Sequence, residues 1–272
     1  ELGQSIDEIF VEFNDEALAS ASIGQVHEAR LHSGEHVVVK VLHDDIEKTI
    51  AVDMDILAGL AQLADRVPEF RGYRPQVAVA EFRRAIEREL DFRRELQNME
   101  EFTRNFGDDP KIRIPRTYRE FSSKRVLTME FLEGIKISAP DKLDAAGYDR
   151  EALARAGASI YLDMMFTQGL YHADPHPGNI IAVGDDVIGL LDYGMVGLMN
   201  EELQESIADM LMSMVGNEPE QLTAIITRLG TVPPDLDYGS LSLEVADFAG
   251  HYGSMPLAQF DLSGALSEMT EI

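Results

Sequence analysis

Apolar positions along this chain change period several times, and each change marks an expected element. Residues 3–13 read as a short helix with Ile6, Ile9 and Phe10 on one side. Ala19-Ser20-Ala21-Ser22-Ile23-Gly24-Gln25 is a run of small residues. Residues 26–31 alternate as a strand does, His32-Ser33-Gly34-Glu35 is a turn, and residues 37–42 form a β-branched strand. Residues 44–64 predict a helix with Ile46, Ile50, Met54, Ile56 and Leu57 as its apolar stripe. A Pro/Gly-rich break over 66–74 precedes one long helix over 76–106, which carries Glu81, Glu87, Glu89, Asp91 and Glu95. On that helix positions 91 and 95 share a face and 89 points elsewhere. Residues 112–119 and 125–129 read as two strands turned at Phe121-Ser122-Ser123-Lys124. Gly134 suggests a change of direction after Glu130-Phe131-Leu132-Glu133, so the boundary between two lobes is placed there, giving 1–131 and 132–272.

The second part reads as mostly helical. Residues 143–169 put Leu153, Ala156, Ile160, Tyr161 and Met164 on one face. A hairpin of 179–183 and 187–191 turns at Gly184-Asp185-Asp186. A helix over 200–215 starts at the N-cap Asn200, with Glu201 and Glu202 in its first turn. Another, over 218–229, is ended by Gly230 and Pro233-Pro234. The tail from residue 235 looks helical, is weakly patterned and carries no usable motif.

Composition narrows the classes. The 272 residues, 45% of them hydrophobic, suffice for one large domain or two lobes with cores. The formal charge, 23 − 49 = −26, argues against nonspecific binding of nucleic acid or of an anionic membrane. Interspersed charges read first as a solvated surface. Zero Cys excludes disulfides, Cys-based zinc sites and thiol catalysis, and fits a cytoplasmic compartment. No apolar run approaches the ~18 residues of a membrane span, and no signal peptide opens the sequence. It starts at Glu1 rather than Met, so a fragment of a longer protein is expected. Any membrane association would then run through parts of the chain not present here.

The densest chemistry is His172-Ala173-Asp174-Pro175-His176-Pro177-Gly178-Asn179, followed by Leu190-Leu191-Asp192-Tyr193-Gly194. Asp174 and Asn179 are five residues apart and Asp192 lies thirteen further on. Carboxylates and a carboxamide on neighbouring loops suit a Mg²⁺-nucleotide site, with Asn179 and Asp192 as hard oxygen ligands and Asp174 near a nucleophile. The kinase signature H-R-D-x-x-x-x-N followed by D-F-G has the same Asp-to-Asn spacing. Lys40, inside an apolar strand, is either a phosphate-positioning group or an edge-strand lysine facing water. The small residues at 19–24 would let backbone N–H groups approach phosphate, or are an ordinary turn. One of the acids at 89–95 could pair with Lys40, or they form a solvated charged face. His172, Asp174 and His176 could alternatively be metal-hydrolase ligands. Otherwise the histidines are structural, His172 positioning its loop by hydrogen bonding and His176 fixing the loop's shape.

Together these pieces follow the order of a protein-kinase fold, α+β and two-lobed, with a β-rich N-lobe containing inserted helices and a mostly helical C-lobe. Their spellings resemble the UbiB/AarF family of atypical kinase-like proteins: Ala19 to His27, Val38-Val39-Lys40, Glu89-Leu90-Asp91-Phe92, Leu127-Thr128-Met129-Glu130, His172 to Asn179, and Asp192-Tyr193-Gly194. The resemblance implies ATP and Mg²⁺ as cofactors. It implies that Ala19, Ser20, Ala21, Ser22, Ile23 and Gly24 cover the nucleotide, and that Lys40 contacts its phosphates and pairs with Glu95. Glu89 and Asp91 would be the family's E-x-D motif, Met129 the gatekeeper, and Glu130 to Leu132 the hinge beside adenine. Asp174 would hold the catalytic-loop position and Asn179 and Asp192 the metal. The implied activity is ATP hydrolysis or phosphotransfer to a small molecule or lipid, linked to isoprenoid-quinone metabolism. Quinone-precursor lipids or quinone-biosynthesis proteins would be partners. A nucleotide-binding scaffold or switch without turnover is the alternative. The family's K-x-G-Q motif on an N-terminal extension is expected upstream of this sequence, since Leu2-Gly3-Gln4 follows Glu1 rather than Lys and lies too close to the Ala/Ser loop. The family's C-terminal helices are also expected to lie beyond the sequence.

Overall fold

In the computed structural model, which describes residues 1–230 and 236–253, the chain opens with one helical turn, α1 (Ile6–Ile9), and passes directly into β1 (Phe10–Phe13). The helix expected over 3–13 therefore ends halfway. Phe-Val-Glu-Phe is richer in strand-forming than helix-forming residues, and it buries Phe10 by pairing antiparallel with a neighbouring strand. β2 (Ala19–Ser20) and β3 (Gly24–Leu31) form a tight hairpin with residues 21–23 at its tip. Gly24 is needed there, because a Cβ would sit 2.6 Å from the Val41 carbonyl oxygen. β4 (His36–Leu42) returns along β3.

Three helices follow: α2 (Ile46–Ala64), α3 (Pro75–Glu89) and α4 (Phe92–Phe106), with a 3-10 turn at Pro68–Tyr73 between the first two. Of the α2 stripe, Met54 is buried while Ile56 is exposed. The single helix expected over 76–106 is broken at Leu90-Asp91. Asp91 caps α4, its carboxylate accepting the Arg93 N–H at 3.1 Å and the Arg93 guanidinium at 2.8 and 2.6 Å. An aspartate's side chain competes for such orphan N–H groups, which favours it at a helix start over a helix interior.

The strand expected over 112–119 shrinks to β5 (Ile112–Arg113). Pro115, which has no N–H, interrupts it, and the chain beyond makes only an isolated bridge, Thr117 to Met129. Then come β6 (Val126–Glu130), β7 (Ile135–Lys136), α5 (Pro140–Ala146) and α6 (Arg150–Asp163). A π-helical turn, Met164–Gln168, leads to β8 (Leu170–His172), β9 (Ile180–Gly184) and β10 (Val187–Leu190).

The first sheet runs β1-β3-β4-β6 with β2 against β3, and the second runs β5-β10-β9-β7. β5 pairs parallel with β10, so the chain enters the second sheet before β6 completes the first. β4 is thus an interior strand, with β3 and β6 on its two sides. Val37 and Val39 pack on one face with Phe10, Leu31 and Val126; Val38 and Leu42 on the other join the main core. Lys40 shares the parity of Val38 and Leu42, so it points to the main-core face, where α4 lies. The main core takes Phe92, Leu96, Met99, Phe102 and Phe106 from α4, and Leu153, Ile160, Met164, Leu190 and Tyr193 from further along.

Two compact units are present, Glu1–Gly197 and Leu198–Ile272. The second contains α7 (Glu201–Val215), α8 (Pro219–Leu229) and α9 (Tyr238–Gly253), packed around Met214, Leu222, Leu241, Val245 and Phe248. Asn200 caps α7 by accepting the Leu203 N–H at 2.9 Å, as its sequence suggests. Pro233, Pro234 and residue 235 lie outside the described residues, and the helical tail is described only through α9. No helix among the described residues is long and apolar enough to cross a membrane.

Candidate functional site

The amphipathic pattern of α4 places one carboxylate among its buried apolar residues. Glu95 lies between Phe92, Leu96 and Met99 on the core-facing side and is 4% exposed. It meets Lys40 from β4, whose Nζ donates to Glu95 Oε1 at 2.5 Å and to Asp192 Oδ2 at 3.1 Å. Three distant parts of the sequence therefore converge on one ammonium group. Burial works against the Lys40 charge, but Glu95 and Asp192 together outweigh it and hold its pKa above the ordinary lysine value. Burial pushes Glu95 up, against the pull of Lys40. For Asp192 burial is outweighed by Lys40 and by the Gly194 N–H, which donates to Oδ1 at 2.9 Å, so this carboxyl sits low.

α4 also grips the residue after Asp192. Glu95 Oε1 accepts the Tyr193 N–H at 3.2 Å, and Asn98 Nδ2 donates to the Tyr193 carbonyl at 2.7 Å. The Tyr193 ring is fully buried against Phe102 and His172, with centroids 5.1 and 5.5 Å away. Asn98 was not singled out by sequence. Its signal was available, since it lies three residues after Glu95 on the same helix face.

The histidines organise the loops. His172 Nε2 is bonded to the Asp192 carbonyl, and its Nδ1 accepts the Asp174 N–H at 3.3 Å. These two bonds assign the neutral Nε2–H tautomer, and burial lowers the pKa of His172 accordingly. His176 Nδ1 accepts the Gly178 N–H at 3.0 Å. Both His172 nitrogens are occupied, and no trio of His, Asp or Glu converges as a metal cluster among the described residues. The reading of His172, Asp174 and His176 as metal-hydrolase ligands therefore finds no support in the geometry. Asn179 Nδ2 donates to Asp174 Oδ2 at 2.9 Å.

A cavity of about 260 Å³ opens over Lys40. Ala21, Ser22, Ile23 and Gly24 line it from the hairpin tip, Glu89, Asp91 and Glu95 from the helices, and Asp174 and Asp192 from the loops. The break at Asp91 brings Glu89 onto the same cavity as Glu95, which corrects the expectation that residue 89 points elsewhere. Ala19 and Ser20 stand back from the cavity in β2. Met129 is buried in the core, and Leu132 is half-buried. Glu130 is turned the other way: it accepts from Arg113 and from the Arg116 N–H, each at 3.0 Å, and lines a separate cavity.

Asp192 lines this cavity as an oxygen donor, and Asn179 is not among the lining residues. Glu89 has its pKa raised first by burial and then by the neighbouring Asp192 and Asp174 charges, so negative charge gathers around Glu89. Asp192 stays 46% exposed at its side chain. A carboxylate and an amide oxygen are a usual protein share for Mg²⁺, which takes its remaining ligands from water and phosphate.

Residues 1–226 match the ABC1 atypical kinase-like domain. Uncharacterized protein sll1770 of Synechocystis is 34% identical over 275 residues, covering 100% of this chain and 47% of that protein. ACTIVITY OF BC1 COMPLEX KINASE 1, a chloroplastic protein of Arabidopsis thaliana, is 31% identical over 100% of this chain and 40% of its own length. A probable protein kinase UbiB of Klebsiella pneumoniae is 32% identical over 97% of this chain and 50% of its own length. The chain thus spans about half the length of the curated relatives it matches, or less. Among solved structures, Rv3197 of Mycobacterium tuberculosis, in complex with erythromycin, shares the fold with a TM-score of 0.68 at 24% identity, over 87% of this chain and 59% of that one. The chain belongs to the ABC1 atypical kinase-like family.

Proposed function

We propose that this chain is the ATP-binding core of an atypical kinase, with residues 1–131 and 132–272 as its lobes. It would act as a Mg²⁺-dependent ATPase, or as a phosphotransferase toward a small molecule or lipid of isoprenoid-quinone metabolism. The observation that carries the reading is the Lys40 ammonium, held between Glu95 and Asp192 at the floor of a cavity roofed by the 21–24 hairpin tip.

Lys40 is oriented by Glu95 so that its charge faces the space where phosphate oxygens would lie. Asn179 and Asp192 would hold Mg²⁺, which supplies charge neutralisation at the β- and γ-phosphates when bound. Asp174, oriented by the Asn179 amide, would position the hydroxyl or water that attacks. Phosphoryl transfer is mainly positioning and electrostatics, so these groups suffice in kind. Met129 and the 130–132 segment would flank the base. Glu130 would contribute there through its backbone, because its side chain is committed to Arg113 and the Arg116 N–H. Glu89 and Asp91, the E-x-D pair, face the same cavity. The quinone link rests on the family resemblance.

The test is Mg²⁺-dependent phosphate release from ATP, with and without anionic lipid and quinone-precursor mimics. Asp192→Asn should abolish the Mg²⁺ dependence and reduce turnover by at least a hundredfold. Unchanged turnover in that variant refutes the metal assignment. One observation favours a second reading, a nucleotide-gated scaffold. The Ala21 N–H is already bonded to the Gly24 carbonyl at 2.9 Å, so the hairpin tip has one donor fewer for phosphate. Equal thermal stabilisation by ATP and a nonhydrolysable analogue, without phosphate release, would select it.

A further inference from the structure

α2 is apolar on two opposite sides. One side, with Ile46 and Ile50 against the main core and Met54 and Ala61 buried, holds the helix to the protein. The other carries Val52, Ile56, Leu60 and Leu63. Val67 continues it in the turn past the helix end, its N–H bonded to the Ala64 carbonyl at 2.9 Å. These five side chains are 40 to 59% exposed. At ~100° per residue they fall, together with Gly59, inside an arc of about 100°, so they form one stripe. An aliphatic stripe facing water, on a helix already anchored by its other side, calls for a partner.

The order of residues along the stripe identifies that partner. The six positions are symmetric about the midpoint between Gly59 and Leu60: 52 mirrors 67, 56 mirrors 63, and 59 mirrors 60. An antiparallel copy of α2 would set Val52 against Val67, Ile56 against Leu63, and Leu60 into the notch at Gly59, where a Cβ would meet nothing within 4 Å. A parallel copy would put glycine on glycine and leave that notch empty. Charge agrees with the antiparallel register. Asp55 and Arg66 edge the stripe on the same side, and this register brings each near the other in the second copy. Asp55 is bonded to Arg83 at 2.8 Å yet keeps its side chain 77% exposed, and Arg66 is exposed. Half-exposed aliphatic side chains offer roughly 100 Å² each, so five from each of two copies remove on the order of 1,000 Å² from water, the low end of specific interfaces. A reversible dimer in the micromolar range fits that area.

We propose that the stripe from Val52 to Val67 is the interface of a two-fold dimer, with α2 packed antiparallel on α2 of a second copy. A two-fold contact uses the same patch on both subunits, so it closes at two copies. α3, which Arg83 ties to α2, ends at Glu89 on the Lys40 cavity, so the dimer contact lies one helix away from that site. The interface is a property of α2 and does not depend on the nucleotide reading.

The test is sedimentation equilibrium of the full chain over a concentration series reaching about a hundred micromolar, where a monomer–dimer equilibrium is expected. Ile56→Glu puts a charge in the seam and should weaken the dimer at least tenfold, with the melting temperature of the dilute monomer unchanged. The chain has no cysteine, so single cysteines report the register. The two copies of position 60 lie beside the two-fold axis, whereas the two copies of position 52 lie about 22 Å apart along the helices at ~1.5 Å per residue, too far for a disulfide. Leu60→Cys should therefore oxidise to a covalent dimer and Val52→Cys alone should not, while a mixture of Val52→Cys and Val67→Cys should cross-link. The cysteine comparison stands even if Ile56→Glu does not fold. The proposal is overturned if the chain stays monomeric throughout the series, if the dimer survives Ile56→Glu unchanged, or if Val52→Cys alone cross-links as readily as Leu60→Cys. A monomer that floats with phosphatidylcholine vesicles, and no longer does so in Ile56→Glu, would assign the stripe to a lipid surface and would also overturn it.

Discussion

Lys40→Met isolates the electrostatics of the buried triad without changing side-chain length much. The substitution leaves Glu95, whose side chain is 5% exposed, without the cation that touches it at 2.5 Å. Breaking a buried ion pair from one side costs about 3–5 kcal/mol. Asp192 is half-exposed and loses a solvent-screened contact, so the lower end, about 3 kcal/mol, is expected. The loss should depend on pH. Burial already pushes the Glu95 carboxyl up, and Lys40 pulls against it; without Lys40 the folded-state pKa rises further above the unfolded value. A raised carboxyl pKa contributes stability below the unfolded pKa and loses it as pH rises through the folded one. Lys40→Met should therefore be less destabilised at pH 5 than at pH 8, each measured against the parent by urea unfolding. Lys40→Met combined with Glu95→Gln, which removes the stranded charge and keeps an acceptor for the Tyr193 N–H, should recover at least half of the loss. Equal losses at both pH values, together with strict additivity in the double variant, would refute the reasoning.

Three further outcomes follow from the same contacts. Asn98→Leu leaves the Tyr193 carbonyl without its donor and should cost about 1–3 kcal/mol in urea unfolding. It should also raise the Mg²⁺ concentration needed for half-maximal nucleotide binding, whereas a purely local packing role would leave that midpoint unchanged. His172 is buried as a neutral ring with its pKa lowered, so its contribution is full above the unfolded value near 6.5 and is lost as pH falls through the lower folded value; His172→Gln should flatten the parent's acid-side decline in melting temperature. Gly24→Ala drives a methyl to 2.6 Å from the Val41 carbonyl oxygen, so thermal melting should show a loss of about 1–3 kcal/mol, whereas Gly34→Ala, in a turn at φ 102° with open space around it, tests backbone strain alone.

What could be read from sequence followed from local periodicity. A lysine in a β-branched run and a glutamate on an amphipathic helix each violate the pattern around them, and such violations point to a site. The hairpin around Asp185 and the Asn200 cap were equally legible, because turns and caps are written in a few adjacent residues. The break at Asp91 was not, because the apolar stripe of residues 92–106 continues the helical text of 76–89 and only the capping bonds of Asp91 separate them. β5 was misread for a different reason. Its two residues are strand by virtue of β10, which arrives much later in the chain, and no window around Ile112 contains that partner. The same holds for Asn98: an exposed-helix asparagine and one bonded to a distant carbonyl are spelled alike. The direction of the Glu130 side chain was not legible either, because Arg113 and the Arg116 backbone that draw it aside lie more than ten residues away.

The early visit of β5 to the second sheet has a consequence for how the chain can be divided. β10 takes β5 on one side and β9 on the other, so an excised piece beginning at residue 132 would carry β10 with a bare edge. Bare strand edges recruit other strands, and such a piece should self-associate rather than behave as a half-sized protein. β5 precedes β6 in the chain, yet its partner β10 comes only at residues 187–190, so the strand pairing that ties residues 112–113 into the second sheet waits until that much of the chain is in place.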